Sequence, residues 1–225
     1  MSLKILIVVT SHTALGDTGK PTGFWLEELA VPYQVFSRAG AQVELASPKG
    51  GPAPADPRSL EKPSDEVKAF QADAAAQQKL AGTLKLSEVK PGYDAVFVAG
   101  GHGVMWDLTK DPALARLLGD TYAQGHVVAA VCHGPAALAQ VKKANGEPLV
   151  KGLRFTGFSD EEETAMELTR VVPFLIETTL KGQGGKYERA AMWQSHVVRD
   201  GRLVTGQNPA SSKATAEETL RAARR

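Results

Sequence analysis

Val127-Val-Ala-Ala-Val131 runs straight into Cys132-His-Gly-Pro135. Five successive apolar residues with no polar alternation read as a strand buried on both faces of a parallel sheet. Gly134 and Pro135 stop that strand at once, and Pro135 suits the first turn of a helix, where a missing N–H costs little. Strand, sharp turn and helix in this order form one unit of an α/β fold. The unit places Cys132 at the carboxyl end of a central strand, where open parallel sheets bind their ligands. Ala129, Ala130 and Gly134 are small enough for a tight elbow, so Cys132 is expected in a strained backbone conformation with its sulfur presented to a cleft.

The same rhythm extends outward in both directions. Lys4 to Thr10 is a second continuously apolar run. Leu26, Leu29, Tyr33 and Phe36 then follow at helical spacing, with Pro32 expected to kink or shift that helix. Gly40 closes it, and Gln42 to Ala46 is the next strand, reached by a right-handed crossover. Residues 48–92 break the pattern. Pro48, Pro52, Pro54, Pro57 and Pro63 precede one polar helix over about Asp65 to Leu80, and the stretch reads as an insertion packed over one edge of the sheet. Asp94 to Ala99 resumes the strands and leads into Gly100-Gly-His-Gly103, then a helix near Ala113 to Gln124. Beyond the elbow come a short strand at Leu153 to Thr156 and a helix over Ser159 to Met166, with Ser159 or Asp160 as its N-cap. A hairpin of Val197–Arg199 and Arg202–Thr205 around Asp200-Gly201 follows, then a final helix from Ala210 to Ala223. The expected fold class is α/β: a single domain over 1–225, doubly wound and flavodoxin-like, with a mainly parallel sheet sandwiched by helices.

The totals exclude several function classes. The chain has 225 residues, and 26 basic against 25 acidic side chains leave a net charge of +1. A nucleic-acid binder would carry a basic excess or stripe; the group of Arg221, Arg224 and Arg225 reads better as positive charge at the end of the last helix. No run approaches the ~18 apolar residues of a membrane span, and the apolar start from Leu3 to Val9 is too short for a signal sequence. A single cysteine makes no internal disulfide. The expected location is the cytoplasm.

A lone cysteine in such a protein is usually a small buried hydrophobe. Its place at the end of a strand, followed by His-Gly-Pro, makes Cys132 instead a candidate nucleophile. A helix N-terminus at Gly134 is expected to favour its thiolate. His133 is the adjacent candidate base, although a turn histidine also often faces solvent. Gly100 to Gly103 lies at the same sheet edge, and its glycines allow backbone N–H groups to face an oxyanion; it could equally be a plain turn. It is not G-x-G-x-x-G, so no dinucleotide cofactor is expected. No cysteine–histidine cluster has metal-ligand spacing, so no metal is expected.

Three segments, Ala99-Gly-Gly-His-Gly103, Ala130-Val-Cys-His-Gly-Pro-Ala136 and Thr205-Gly-Gln-Asn-Pro-Ala-Ser211, together resemble the ThiJ/PfpI superfamily of the class I glutamine amidotransferase-like fold. Thr22-Gly-Phe-Trp-Leu-Glu-Glu28 and Thr156-Gly-Phe-Ser-Asp-Glu-Glu-Glu163 resemble its heat-shock-protein class, which has glutathione-independent glyoxalase (glyoxalase III) activity. The resemblance covers essentially the whole chain. It implies Cys132 as nucleophile, His133 as its partner, Glu163 as the orienting acid and Glu28 as the carboxyl beside the sulfur, with Glu27 one slip of register away. It further implies oxyanion or substrate contacts from Gly100, Gly101, His102 and His133, a small dicarbonyl substrate such as methylglyoxal or its protein adducts, and a homodimer. Glutaminase relatives carry a His-x-Glu pair. None of His12, His102, His126, His133 and His196 is followed by Glu at that spacing, which disfavours amidase chemistry. A stress-related holding chaperone, a cysteine redox sensor and, less favoured, a peptidase are the alternative classes.

Overall fold

The computed structural model describes residues 2–224. Strand β1 (Lys4–Val8) pairs in parallel with β2 (Gln42–Ser47), and α1 (Leu26–Arg38) connects them. After β2 the chain forms α2 (Asp65–Ala72) and α3 (Ala74–Ala81), then the short edge strand β3 (Leu84–Lys85) beside β2. The chain then crosses to the other side of β1, where β4 (Ala95–Val98) pairs with it in parallel. Helix α4 (Pro112–Ala123) leads to β5 (Val127–Val131), the strand of the elbow. The remainder comprises β6 (Arg154–Phe155), α5 (Asp160–Ala165), α6 (Ile176–Gly182), β7 (Lys186–Tyr187), β8 (Val197–Asp200), β9 (Leu203–Gly206) and α7 (Ser212–Ala223). The seven-stranded sheet has the order β3-β2-β1-β4-β5-β9-β8, and only β8 runs antiparallel, as the second arm of the hairpin with β9. A separate two-stranded sheet joins β6 and β7.

This order positions the site. The crossover from β1 moves toward β3 and the crossover from β4 moves the opposite way, so right-handed connections put α1 and α4 on opposite faces. The reversal between β1 and β4 opens a crevice beyond their carboxyl ends, the standard ligand position in doubly wound sheets. The strands are apolar throughout because both faces are covered: β4, β5 and β9 are buried at every residue. Among the described residues no helix is long and apolar enough to cross a membrane.

Two local expectations change. The polar helix of the insertion is two helices, because Asp73 turns extended and caps the second through the Ala75 and Ala76 N–H groups. Helix α1 continues through Pro32, which is buried. The segment after Cys132 is a 3-10 helix, Gly134–Gln140, not an α-helix. At the end of α7 Arg221 pairs with Glu217 and Glu218; Arg225 lies outside the described residues.

Phe97 ties these layers together. It is fully buried in β4 and meets Phe36 of α1 edge to face at 5.7 Å. Phe97→Ala is expected to cost about 3–5 kcal/mol, read as a lower urea midpoint at unchanged slope.

Candidate active site

Cys132 leaves β5 with φ of +58°, a left-handed conformation that costs a β-substituted residue roughly 1–3 kcal/mol. Its N–H donates to Gly206 O (3.0 Å) and its carbonyl accepts from Phe158 N (2.8 Å), so the elbow is pinned on both sides. The His133 Nδ1 atom stands 3.3 Å from the Cys132 sulfur, and its Nε2 stands 2.8 Å from Glu163 Oε2. Glu163 arrives from α5, whose capping box on Ser159 fixes that helix start. Of Ser159 and Asp160, Ser159 is the cap.

Glu28 reaches the sulfur from the opposite side. The Trp25 N–H donates to Gly100 O (3.1 Å), and the Gly100 N–H donates to Glu28 Oε2 (2.8 Å). This reciprocal clasp sets the register of α1: Glu28 is fully buried against Cys132, while Glu27 is half-buried and faces Glu66 instead. A Cβ on Gly100 would lie 2.5 Å from Glu28 Oε2 and 2.7 Å from the His133 main-chain nitrogen. Gly101, at φ of +98°, turns its N–H toward the sulfur. Only glycine fits this close approach.

The electrostatics follow from burial. Glu28 is pushed up to about 8 because a carboxylate there loses its water, and hydrogen bonds from Cys132 and Gly100 offset that only in part. The Cys132 thiol is raised well above its ordinary value by burial and by Glu28. The helix N-terminus expected to favour the thiolate is a 3-10 segment, and burial, with Glu28 beside the sulfur, outweighs its partial charge and favours the thiol. Glu163 behaves oppositely. Burial raises it, yet the His133 and His102 rings on its two oxygens outweigh burial and hold it well below the usual carboxylate range.

His102, expected to contact an oxyanion or substrate, lines the cavity over the sulfur and places its Nε2 2.8 Å from Glu163 Oε1, with its ring centroid 4.0 Å from that of His133. Glu163 thus carries two imidazoles. The ligand-type atoms of His102, His133 and Glu163 lie within 4.8 Å of one another, and each Glu163 oxygen accepts one imidazole N–H, so the three form a buried hydrogen-bonded cluster.

Above these groups lies a cavity of about 180 Å³ walled by Trp25, Phe158, Met166, Trp193 and Pro209, with Gly101, His102, Cys132 and His133 at its floor. Larger depressions elsewhere, such as the one beside Leu86 and Arg116, contain none of these groups. Trp193, at φ of +64°, overhangs the cavity because its N–H donates to Glu162 Oε1 (2.9 Å). The same oxygen accepts from Asn208 Nδ2 (2.9 Å). Sequence reading missed Glu162 and Trp193; Glu161 to Glu163 form an unbroken acidic run in which only burial separates the three roles. Glu161 is exposed and pairs with Arg189.

The DJ-1/PfpI family model matches residues 21–222. The chain belongs to the DJ-1/PfpI family. Within it, this chain is 32% identical over 232 residues to glyoxalase 3 of Candida albicans, covering 98% of both. It is 33% identical over 229 residues to the glutathione-independent glyoxalase HSP31 of Saccharomyces cerevisiae, covering 96% of both. Among solved structures, Rapid Encystment Protein 24 kDa of Francisella tularensis superposes with a TM-score of 0.95 at 36% identity, over 98% of this chain and 99% of that one. Glyoxalase III of Candida albicans superposes with a TM-score of 0.90 at 31% identity, over 98% and 97%.

The raised Glu28 carboxyl gives a stability test in this DJ-1/PfpI chain. A carboxyl that titrates near 8 when folded and near 4.5 when unfolded favours the folded state at low pH, and that contribution is lost as pH rises between those values. Glu28→Gln cannot ionise. Its melting temperature is expected to exceed that of wild type by several degrees at pH 8, and the gap should close toward pH 5.

Proposed function

We propose that this chain is a glutathione-independent glyoxalase that converts small 2-oxoaldehydes such as methylglyoxal to 2-hydroxy acids, in that case lactate. The observation that carries this reading is the placement of one thiol between a base and a high-lying carboxyl, under a small apolar cavity. The relatives named above as glyoxalases cover nearly the whole chain and support it.

The chemistry needs only these side chains. His133 Nδ1 takes the thiol proton as sulfur adds to the aldehyde carbon, and the new oxyanion meets the Gly101 and His133 N–H groups before it takes that proton back. The hemithioacetal then loses its carbon-bound hydrogen to the Glu28 carboxylate, the ionised minority of a group that titrates near 8. A base that titrates near 8 is well matched to this step at neutral pH. Glu28 returns the proton to the neighbouring carbon while the hydroxyl hydrogen of the first carbon passes to the neighbouring oxygen, giving a lactoyl thioester on Cys132. Water, with its proton accepted by His133, releases lactate and restores the thiol. One carbon is oxidised and its neighbour reduced, so no external electron carrier enters. Glu163 orients His133 and balances the charge it acquires.

The cavity suits a molecule of a few heavy atoms, which favours this reading over a peptidase. Among the described residues the large apolar side chains left exposed are Leu60, Leu84 and Trp193; a holding chaperone would present a broader apolar surface.

Purified protein without glutathione is expected to form lactate from methylglyoxal. Cys132→Ala and Glu28→Gln should each lower turnover by at least about 10⁴-fold, because both act on reacting atoms. Glu163→Gln should cost less, about 10²-fold. Equal inactivity of wild type and Cys132→Ala across small 2-oxoaldehydes would overturn the reading.

A further inference from the structure

The stretch between β2 and β4 contains a pair to which the proposed chemistry gives no task. Asp56 is fully buried. It accepts from the Arg58 main-chain N–H (3.0 Å), from Arg58 Nε (3.0 Å) and Nη2 (2.7 Å), and from Thr22 Oγ1 (2.9 Å). Held in this fork, Arg58 Nη2 stands 3.4 Å from His102 Nδ1. On the far side of the same ring, Nε2 meets Glu163. A guanidinium offers only donors. The Nδ1 of His102 must therefore be the bare nitrogen, and Nε2 must carry the hydrogen that Glu163 accepts.

We propose that Arg58 is a positioning residue for the Cys132–His133–Glu163 triad: its fixed cation on Nδ1 holds His102 as the neutral Nε2–H tautomer, so that Glu163 keeps its charge for His133. This rests on the glyoxalase reading for its kinetic consequence only. A His102 that took a second proton would bring a positive ring to 4.0 Å from His133. It would oppose the charge that His133 acquires on accepting the thiol proton, and it would divert Glu163 into its own ion pair.

The groups that face His102 decide the balance. Glu163 from α5 favours the protonated ring. Burial opposes it most, then His133 on the elbow and Arg58 on the insertion, and the ring lies at about 4. Cys132 and Glu28, on the far side of His133, are held neutral near pH 7 by the coupling already described. Asp56 is screened from His102 by the guanidinium it binds. Arg58 is the one fixed cation in the set, and its removal also admits water to Nδ1.

Two variants of the full chain test this, Arg58→Met, which keeps the stem and removes the cation, and Arg58→Lys, which keeps a cation without the fork. The first readout is the His102 imidazole titration by NMR, which needs no turnover. In Arg58→Met the midpoint should move from about 4 toward the ordinary 6.5. Arg58→Lys should lie between Arg58→Met and wild type. The second readout is kcat and KM for methylglyoxal at pH 5.5 and 7.5. The raised midpoint leaves part of His102 protonated at pH 5.5 and essentially none at pH 7.5, so the kcat ratio of Arg58→Met to wild type should fall from pH 7.5 to 5.5, with KM within about twofold. The fall should be smaller than the roughly tenfold that a His102 at its ordinary value would give, because burial and His133 remain. A folded Arg58→Met with an unmoved His102 midpoint, or with the same kcat loss at both pH values, would overturn the proposal. If Arg58→Met fails to fold, Arg58→Gln is judged by the same two readouts. If wild type turns over no methylglyoxal, the glyoxalase reading falls and the His102 midpoint alone decides this one.

Discussion

The site depends on keeping one negative charge inside the protein. Glu163 is almost wholly buried, and an ion of its size loses several kcal/mol of hydration there even after relaxation. It stays ionised because both oxygens accept hydrogens from imidazoles at 2.8 Å, and hydrogen bonds to a charged acceptor are about twice as strong as neutral ones. The arrangement fixes the chemistry around it. An imidazole that gives its Nε2 hydrogen to Glu163 must turn its bare Nδ1 toward Cys132, so the His133 lone pair faces the thiol.

The second carboxyl obeys the opposite rule. Glu28 is as buried as Glu163, yet it has one good donor, the Gly100 N–H, and its Oε1 makes no hydrogen bond of regular geometry even though the thiol lies within interaction range. Without compensation a buried carboxyl keeps its proton. Two carboxyls beneath one cavity floor are thus driven to opposite protonation states by the groups that surround each of them. The folded state bears the cost of an underpartnered Glu28 and of a left-handed Cys132, the usual tension between stability and a reactive site.

The walls are held as firmly as the floor. Residues that look like reactive motif members serve as fasteners: Asn208 and Glu162 bind each other and, through the Trp193 N–H, hold an aromatic ring over the cavity. Thr205 accepts from Thr156 N (2.9 Å), joining β9 to the segment that leads into α5. The insertion after β2, which by composition is a surface excursion, sends Asp56 and Arg58 inward to the triad.

Periodicity and punctuation alone determined the alternation of strands and helices, the elbow at Cys132 and the presence of a doubly wound sheet, because an apolar run ended by Gly-Pro has few other solutions. The resemblance in the motifs singled out Cys132, His133, Glu28 and Glu163, and the structure brings those four together. Tertiary structure decided the rest. It gave Glu28 and not Glu27 to the sulfur, since the Gly100 clasp sets the helix register. It made His102 a partner of Glu163, and it drew in Arg58, 44 residues from His102 along the chain. It also reversed the expected thiolate. Local sequence encodes dihedral preference and apolar pattern, but the protonation state of a buried group depends on which dipoles and charges surround it in space, and those come from β1's helix, β4's loop, β5's elbow and α5 together.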